Sequence, residues 1–123
     1  MNSAQTRDSL SIGAPYLKCL DDTGILRPLV RGESAADTRY SKSDVQILLR
    51  RLRGHAPSVG RRYPGFASIP EFHRIFQIDP NFVISAVSQG LISASANLRD
   101  ERGLRAVLVS VRDVRTLWQD TVG

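Results

Sequence analysis

The 123-residue sequence predicts a mainly α chain with short β-wings, in which one small module is written twice. Two observations lead there. The first is a repeat: displacing the chain by 66 positions lays Ile12 on Ile78, Tyr16 on Phe82, Leu17 on Val83, Gly24 on Gly90 and Ile25-Leu26 on Leu91-Ile92. With three more residues in the second loop, Tyr40-Ser41 falls on Val109-Ser110, and Asp44, Val45 and Leu48 fall on Asp113, Val114 and Leu117. The second is local chemistry, because helical apolar spacing alternates with Gly/Pro punctuation and several helix starts carry a Ser-x-x-acid cap. The chain divides accordingly into a first unit, 1–53, a basic Gly/Pro linker, 54–66, and a second unit, 67–123.

Residues 1–11 stand where the first unit needs a scaffolding helix, but their pattern is weak. They read either as a degenerate helix or as the start of a piece cut from a longer protein, the second being preferred. Ala14 to Thr23 is a short amphipathic helix with Tyr16, Leu17 and Leu20 inward, ended by Gly24 in the left-handed conformation. Arg27 to Arg39, with Pro28 and Gly32, is an irregular hairpin, a wing. Ser41-Lys42-Ser43-Asp44 has the spacing of a capping box and opens a helix to about Arg53, with Val45, Ile47, Leu48 and Leu49 as its apolar stripe.

The linker holds three glycines, two prolines, Arg61 and Arg62, too much punctuation for regular structure. Ser68-Ile69-Pro70-Glu71 repeats the cap, with proline in the first turn where its missing donor costs nothing. The helix that follows, to Gln77, is expected to bury Phe72, Ile75 and Phe76. Asp79 then caps a helix from Pro80 to Gln89, stopped by Gly90. A second wing spans Ser93 to Arg105, Ala106 to Val109 is a strand, and Ser110-Val111-Arg112-Asp113 caps the last helix. Val114, Leu117 and Trp118 close the second core.

No apolar run approaches the roughly 20 residues that span a bilayer, which excludes a membrane-inserted helix. The polar start lacks the apolar centre of a secretory signal, and one cysteine, Cys19, forms no internal disulfide, so the expected compartment is the bacterial cytoplasm. Charge says more. Lys and Arg number 17 against 12 acids, a net charge of +5, and all but Lys18 and Lys42 are arginine. From Val45 to Pro70 there is no acid, while Arg50, Arg51, Arg53, Arg61 and Arg62 fall there. Such a field draws polyanions, nucleic acid above all, although it also serves solubility. For an enzyme the sequence offers little. His55 and His73 have no partners at metal-ligand spacing, and phosphate-cradling glycine loops and nucleophile elbows are missing, so no catalysis and no cofactor are expected.

Helix, tight turn, helix, wing, strand and capped helix is the order of a winged helix-turn-helix, and two such units in tandem are expected. Tyr40-Ser41-Lys42-Ser43-Asp44-Val45 and Val109-Ser110-Val111-Arg112-Asp113-Val114 resemble the opening of the last helix in winged-helix units of the MerR and excisionase type. The second unit, from Ile69-Pro70-Glu71 through Gln89-Gly90-Leu91-Ile92 to Arg102-Gly103-Leu104-Arg105-Ala106-Val107-Leu108-Val109, also looks like the C-terminal region of TniQ-type transposition proteins. The resemblance implies double-stranded DNA binding, with the second helix of each unit in the major groove and the wing on adjacent backbone.

Carried onto this chain, the resemblance places Asn81, Ser85, Ser88 and Gln89 outward in the second unit, where Asn and Gln pair with adenine. Their matches in the first unit are Pro15, Cys19, Asp22 and Thr23, with Lys18 beside them. Asp21 and Asp22 depart from this pattern, since both would face phosphates. Attraction would then come from Arg27 and Arg31 in the first wing, Arg50, Arg51 and Arg53, Arg61 and Arg62, and Arg99, Arg102 and Arg105 in the second wing. The alternative is a protein-interaction module docking on a partner such as a transposition ATPase or a second copy, which Ile84 favours as an apolar residue near the reading face. A third is RNA binding by the linker alone.

Overall fold

A computed structural model describes residues 1–34 and 37–122, with Val122 described in its backbone only; the tip of the first wing, residues 35 and 36, lies outside the described residues. Six α-helices and a small four-stranded mixed sheet follow one another among the described residues, and about half the chain is helical. The helices are α1 (Ser3–Leu10), α2 (Ala14–Asp22), α3 (Lys42–Arg53), α4 (Ile69–Phe76), α5 (Pro80–Ser88) and α6 (Val111–Val122). The strands are β1 (Ser58–Val59), β2 (Phe66–Ser68), β3 (Ala96–Leu98) and β4 (Val107–Ser110), with a 3-10 turn at Gly103–Arg105 between the last two. Among the described residues no helix is long and apolar enough to cross a membrane.

The repeat seen in the sequence recurs in the backbone. α1 and α4 start and end 66 positions apart, as do α2 and α5, while α3 and α6 are each 12 residues long and 69 positions apart. Ser11 and Gln77 stop α1 and α4 in the same left-handed conformation, both at φ 55°. Gly24 and Gly90 turn the chain at φ 78° after α2 and α5, where an L side chain is strained and glycine is not. Cross-strand pairing repeats too. Arg39 bridges Asn2 and Val30 as Leu108 pairs with Ser68 and Ala96, and the Tyr40 amide donates to the Met1 carbonyl (2.7 Å) where Val109 pairs with Ala67.

The caps follow their sequence signatures. Ser41 Oγ accepts the Asp44 amide (3.2 Å), Ser110 Oγ the Asp113 amide (3.3 Å) and Asp79 Oδ1 the Asn81 amide (2.9 Å). Glu71 reaches back to the amide (3.0 Å) and hydroxyl (2.8 Å) of Ser68. Residues 3–10 do form a helix, because Asn2 and Gln5 make a reciprocal capping box from two amides in place of the usual hydroxyl and acid: Asn2 Oδ1 accepts from the Gln5 amide and Gln5 Oε1 from the Asn2 amide.

Three expectations are corrected. The segment read as an irregular linker carries β1 and the start of β2; β1 runs parallel to β3 and β2 antiparallel to β4, giving the sheet order β1-β3-β4-β2. Punctuation shortened these strands without preventing them, because β3 and β4 supply a ready ladder. Ile75 and Ile47 are about half exposed, since Phe72 and Leu48 with Leu52 already occupy the inward rows of α4 and α3. Ile84 is fully buried and belongs to no exposed face.

Most buried side chains of both units form one cluster, and Ala96, Leu98 and Leu108 form a small second one in the sheet. Leu10, Leu17, Leu20, Val45, Leu48 and Leu52 from the first unit interlock with Phe72, Val83, Ile84, Val87, Val107 and Val109 from the second. α5 lies at its centre, packed against α2, α3 and α4. At the other seam α1 meets the 3-10 turn so closely that a Cβ on Gly103, at φ 58°, would stand 2.4 Å from the Leu10 carbonyl carbon. Gly103→Ala is therefore expected to destabilise the whole chain by about 3 kcal/mol, against about 1 kcal/mol for Gly90→Ala, which is strained in φ but open in space. Urea midpoints of the two variants measure this, and equal losses would show that the seam is not closely packed.

Candidate nucleic-acid interface

The basic residues sort into two sets by what their backbone brings near them. In the first, α3 ends with Arg50, Arg51 and Arg53, all exposed beside a helix C-terminus whose partial negative charge suits cations. The pairing of β1 with β3 folds the linker back against this end. Asn97 of β3 donates its side-chain amide to the Ala56 carbonyl (3.2 Å), and more loosely to that of Arg53 (3.4 Å), while the Arg99 amide donates to the Val59 carbonyl (3.0 Å). The Arg99 guanidinium reaches Gly60, next to exposed Arg61. Arg53, Arg61 and Arg99 thus come to one region, Arg50 and Arg51 stand on the same last turn of α3, with Arg51 in a groove that also holds Asp44, and among the described residues no carboxylate pairs with any of the five.

The second set is engaged within the molecule. Arg31 makes a two-pronged ion pair with Asp21 (2.7 and 2.8 Å), which holds the Asp21 carboxyl below the ordinary range. This pair resolves the misplaced acid of the first unit, since Asp21 answers the wing. Arg27 stands over Gly24. Arg62 pairs with Glu71, which Arg74 also approaches at 3.4 Å. Burial alone would push the Glu71 carboxyl up, but the Ser68 amide and hydroxyl and Arg62 outweigh it and hold it low. Arg102 lies 3.6 Å from Asp8 of α1, with Arg105 exposed nearby along the same groove.

The residues expected to read bases sit elsewhere again. Lys18 and Gln89 are exposed, but Asn81, Ser85 and Ser88 are half-buried, and Gln89 donates to Ser85 Oγ (2.9 Å). Helix α5 is too enclosed by α2, α3 and α4 to offer a full outer face. Pro15 and Asn81, equivalent positions in the repeat, come together in one cleft between α2 and α5, with Tyr16, Cys19, His73 and Trp118 around them. The Tyr16 and His73 rings meet edge-on at 6.3 Å, and Trp118 meets Phe82 edge-on at 4.9 Å. Burial and then the Asp79 carboxylate raise the Tyr16 hydroxyl above its ordinary pKa. The sequence pattern puts Tyr16 and Trp118 in the core and gives no sign of the cleft; the usable signal was that a 66-residue repeat can set equivalent outward positions against each other.

No family model matches this chain, and neither a curated protein nor a solved structure does.

The Glu71 cluster carries a pH prediction. A carboxyl held below its ordinary value of 4.5 stays ionised in the folded chain after the unfolded chain has taken up a proton, so its contribution is complete above 4.5 and is lost as pH falls through the folded value. Glu71→Gln should cost about 1 kcal/mol near neutrality, as a lost charged cap, and should flatten the acid side of a melting-temperature profile. A variant profile as steep as the parent's would remove Glu71 from the acid response.

Proposed function

We propose that the chain binds double-stranded DNA without catalysing a reaction, as two tandem winged helix-turn-helix units, and that it does so mainly through phosphate contacts. The observation that carries this is the group of arginines at the end of α3, the β1 segment and β3, none of which is ion-paired among the described residues. Guanidiniums with no carboxylate partner among the described residues, next to a sheet edge and a helix end, are suited to a duplex backbone, and their contacts release counterions. The enclosure of α5 argues for weak base reading, with exposed Gln89 and Lys18 as its most accessible contributors. A role in transposition or regulation rests on the TniQ and MerR likeness of the sequence alone, and the bacterial cytoplasm on its polar start and single cysteine.

A second reading, docking on a protein partner such as a transposition ATPase, is favoured by one observation. In the second unit β1 covers the outer edge of β3; in the first, the equivalent edge at Val30 has no strand beside it among the described residues, and Leu29 and Val30 are exposed. Bare edges of this kind accept an added strand.

Titration of random-sequence duplex at several salt concentrations tests the primary reading. Affinity should fall linearly on a log–log plot. Arg50→Ala with Arg51→Ala and Arg61→Ala should weaken all sequences alike and reduce the salt slope by about 0.9 for each phosphate no longer neutralised. Arg31→Ala should leave binding nearly unchanged because that side chain serves Asp21. Duplex affinity that ignores both salt and the triple substitution sinks the proposal.

A further inference from the structure

We infer that the cleft between α2 and α5 is a binding site for a small organic cation, an alkylated ammonium group held among aromatic rings and opposite the Asp79 carboxylate. The cleft, open to solvent on one side, offers about 320 Å³, the scale of a compact ligand. Tyr16, His73 and Trp118 line it, and aromatic faces attract cations, tryptophan most strongly. Asp79 is its one carboxylate, and no lysine or arginine lines it, among the described residues. In a chain of net charge +5, this is a local reversal of sign.

Asp79 has capacity to spare. One of its oxygens accepts the Asn81 amide at 2.9 Å, and no cation pairs with the carboxylate among the described residues. An anion entering the cleft would meet that charge with no cationic side chain among the lining residues to offset it. A neutral ligand would strip water from it without compensation. A hard ammonium ion would keep its own hydration, whereas an alkylated one presents apolar surface to the prolines and rings and spreads its charge over it. The same chemistry is offered by a free quaternary amine and by a trimethylated lysine side chain. The site shares no residue with the arginine region, so it stands or falls independently of DNA binding.

Trp118 is the only tryptophan in the chain, so its emission reports directly on the cleft. The full chain is titrated with choline chloride against sodium chloride at matched ionic strength, and with 3,3-dimethylbutan-1-ol, the neutral molecule of the same shape. Choline should change the emission saturably, and the alcohol should bind about tenfold more weakly. Asp79→Asn keeps a good helix cap and should weaken choline about fivefold, with the alcohol unaffected and the far-ultraviolet circular dichroism unchanged. A short peptide with one trimethyllysine binding more tightly than choline identifies a side chain as the natural occupant, and the reverse order a free amine; both support the site. Equal binding of choline and the alcohol to the parent chain, or no saturable response to either, overturns it.

Discussion

The two halves of this chain bury most of their apolar surface together. A unit of about 55 residues encloses too small a fraction of its surface to be comfortably stable, and here the solution is a common core. α5 is the piece that makes it work: Val83, Ile84, Ala86 and Val87 are all buried, so the helix offers apolar surface to more than one neighbour. α2 and α3 of the first unit and α4 of the second close around it. Gly103 fixes a second seam by letting the 3-10 turn touch the backbone of α1. Duplication has thus given two similar modules different duties, one helix becoming a hub while its repeat equivalent, α2, keeps Pro15, Lys18 and Cys19 at the surface.

That asymmetry also governs the charges. A chain rich in arginine must either place carboxylates beside it or leave it to solvent and ligands. The wing of the first unit does the former, with Arg31 gripped by Asp21, and the second wing sends Arg102 toward Asp8. The end of α3 and the β1–β3 edge do the latter. The result is a set of arginines that, among the described residues, no carboxylate engages. The cleft on the α2–α5 seam is lined by aromatic rings, prolines and one carboxylate, a chemistry unlike that of the arginines at the end of α3.

Much of the fold was legible in the sequence because its signals are local. A Ser-x-x-Asp cap acts over four residues, a glycine at positive φ over one, and a helical stripe over two turns; such signals stand at Ser41, Gly24, Gly90, Asp79 and Ser110 and recur in the structure. The Asn2–Gln5 box was not legible because amides replace the usual hydroxyl and acid. Other features were beyond local reading. The strands β1 and β2 are two and three residues long and exist because β3 and β4 lie beside them. The exposure of Ile47 and Ile75 depends on which neighbours fill the space below their helices.

What the sequence determined by itself was the internal repeat, the order of the helices from α2 to α6 and the positions of most caps and turns, since these follow from backbone chemistry within a few residues. What only the tertiary structure decided was which faces are free. Asn81, Ser85 and Ser88 looked outward from a single helix and are half-enclosed once α2 and α3 pack on it. Arg31 and Arg62 looked like free cations and are held by Asp21 and Glu71. Accessibility belongs to pairs of elements brought together from distant parts of the chain, and no stretch of sequence carries it alone.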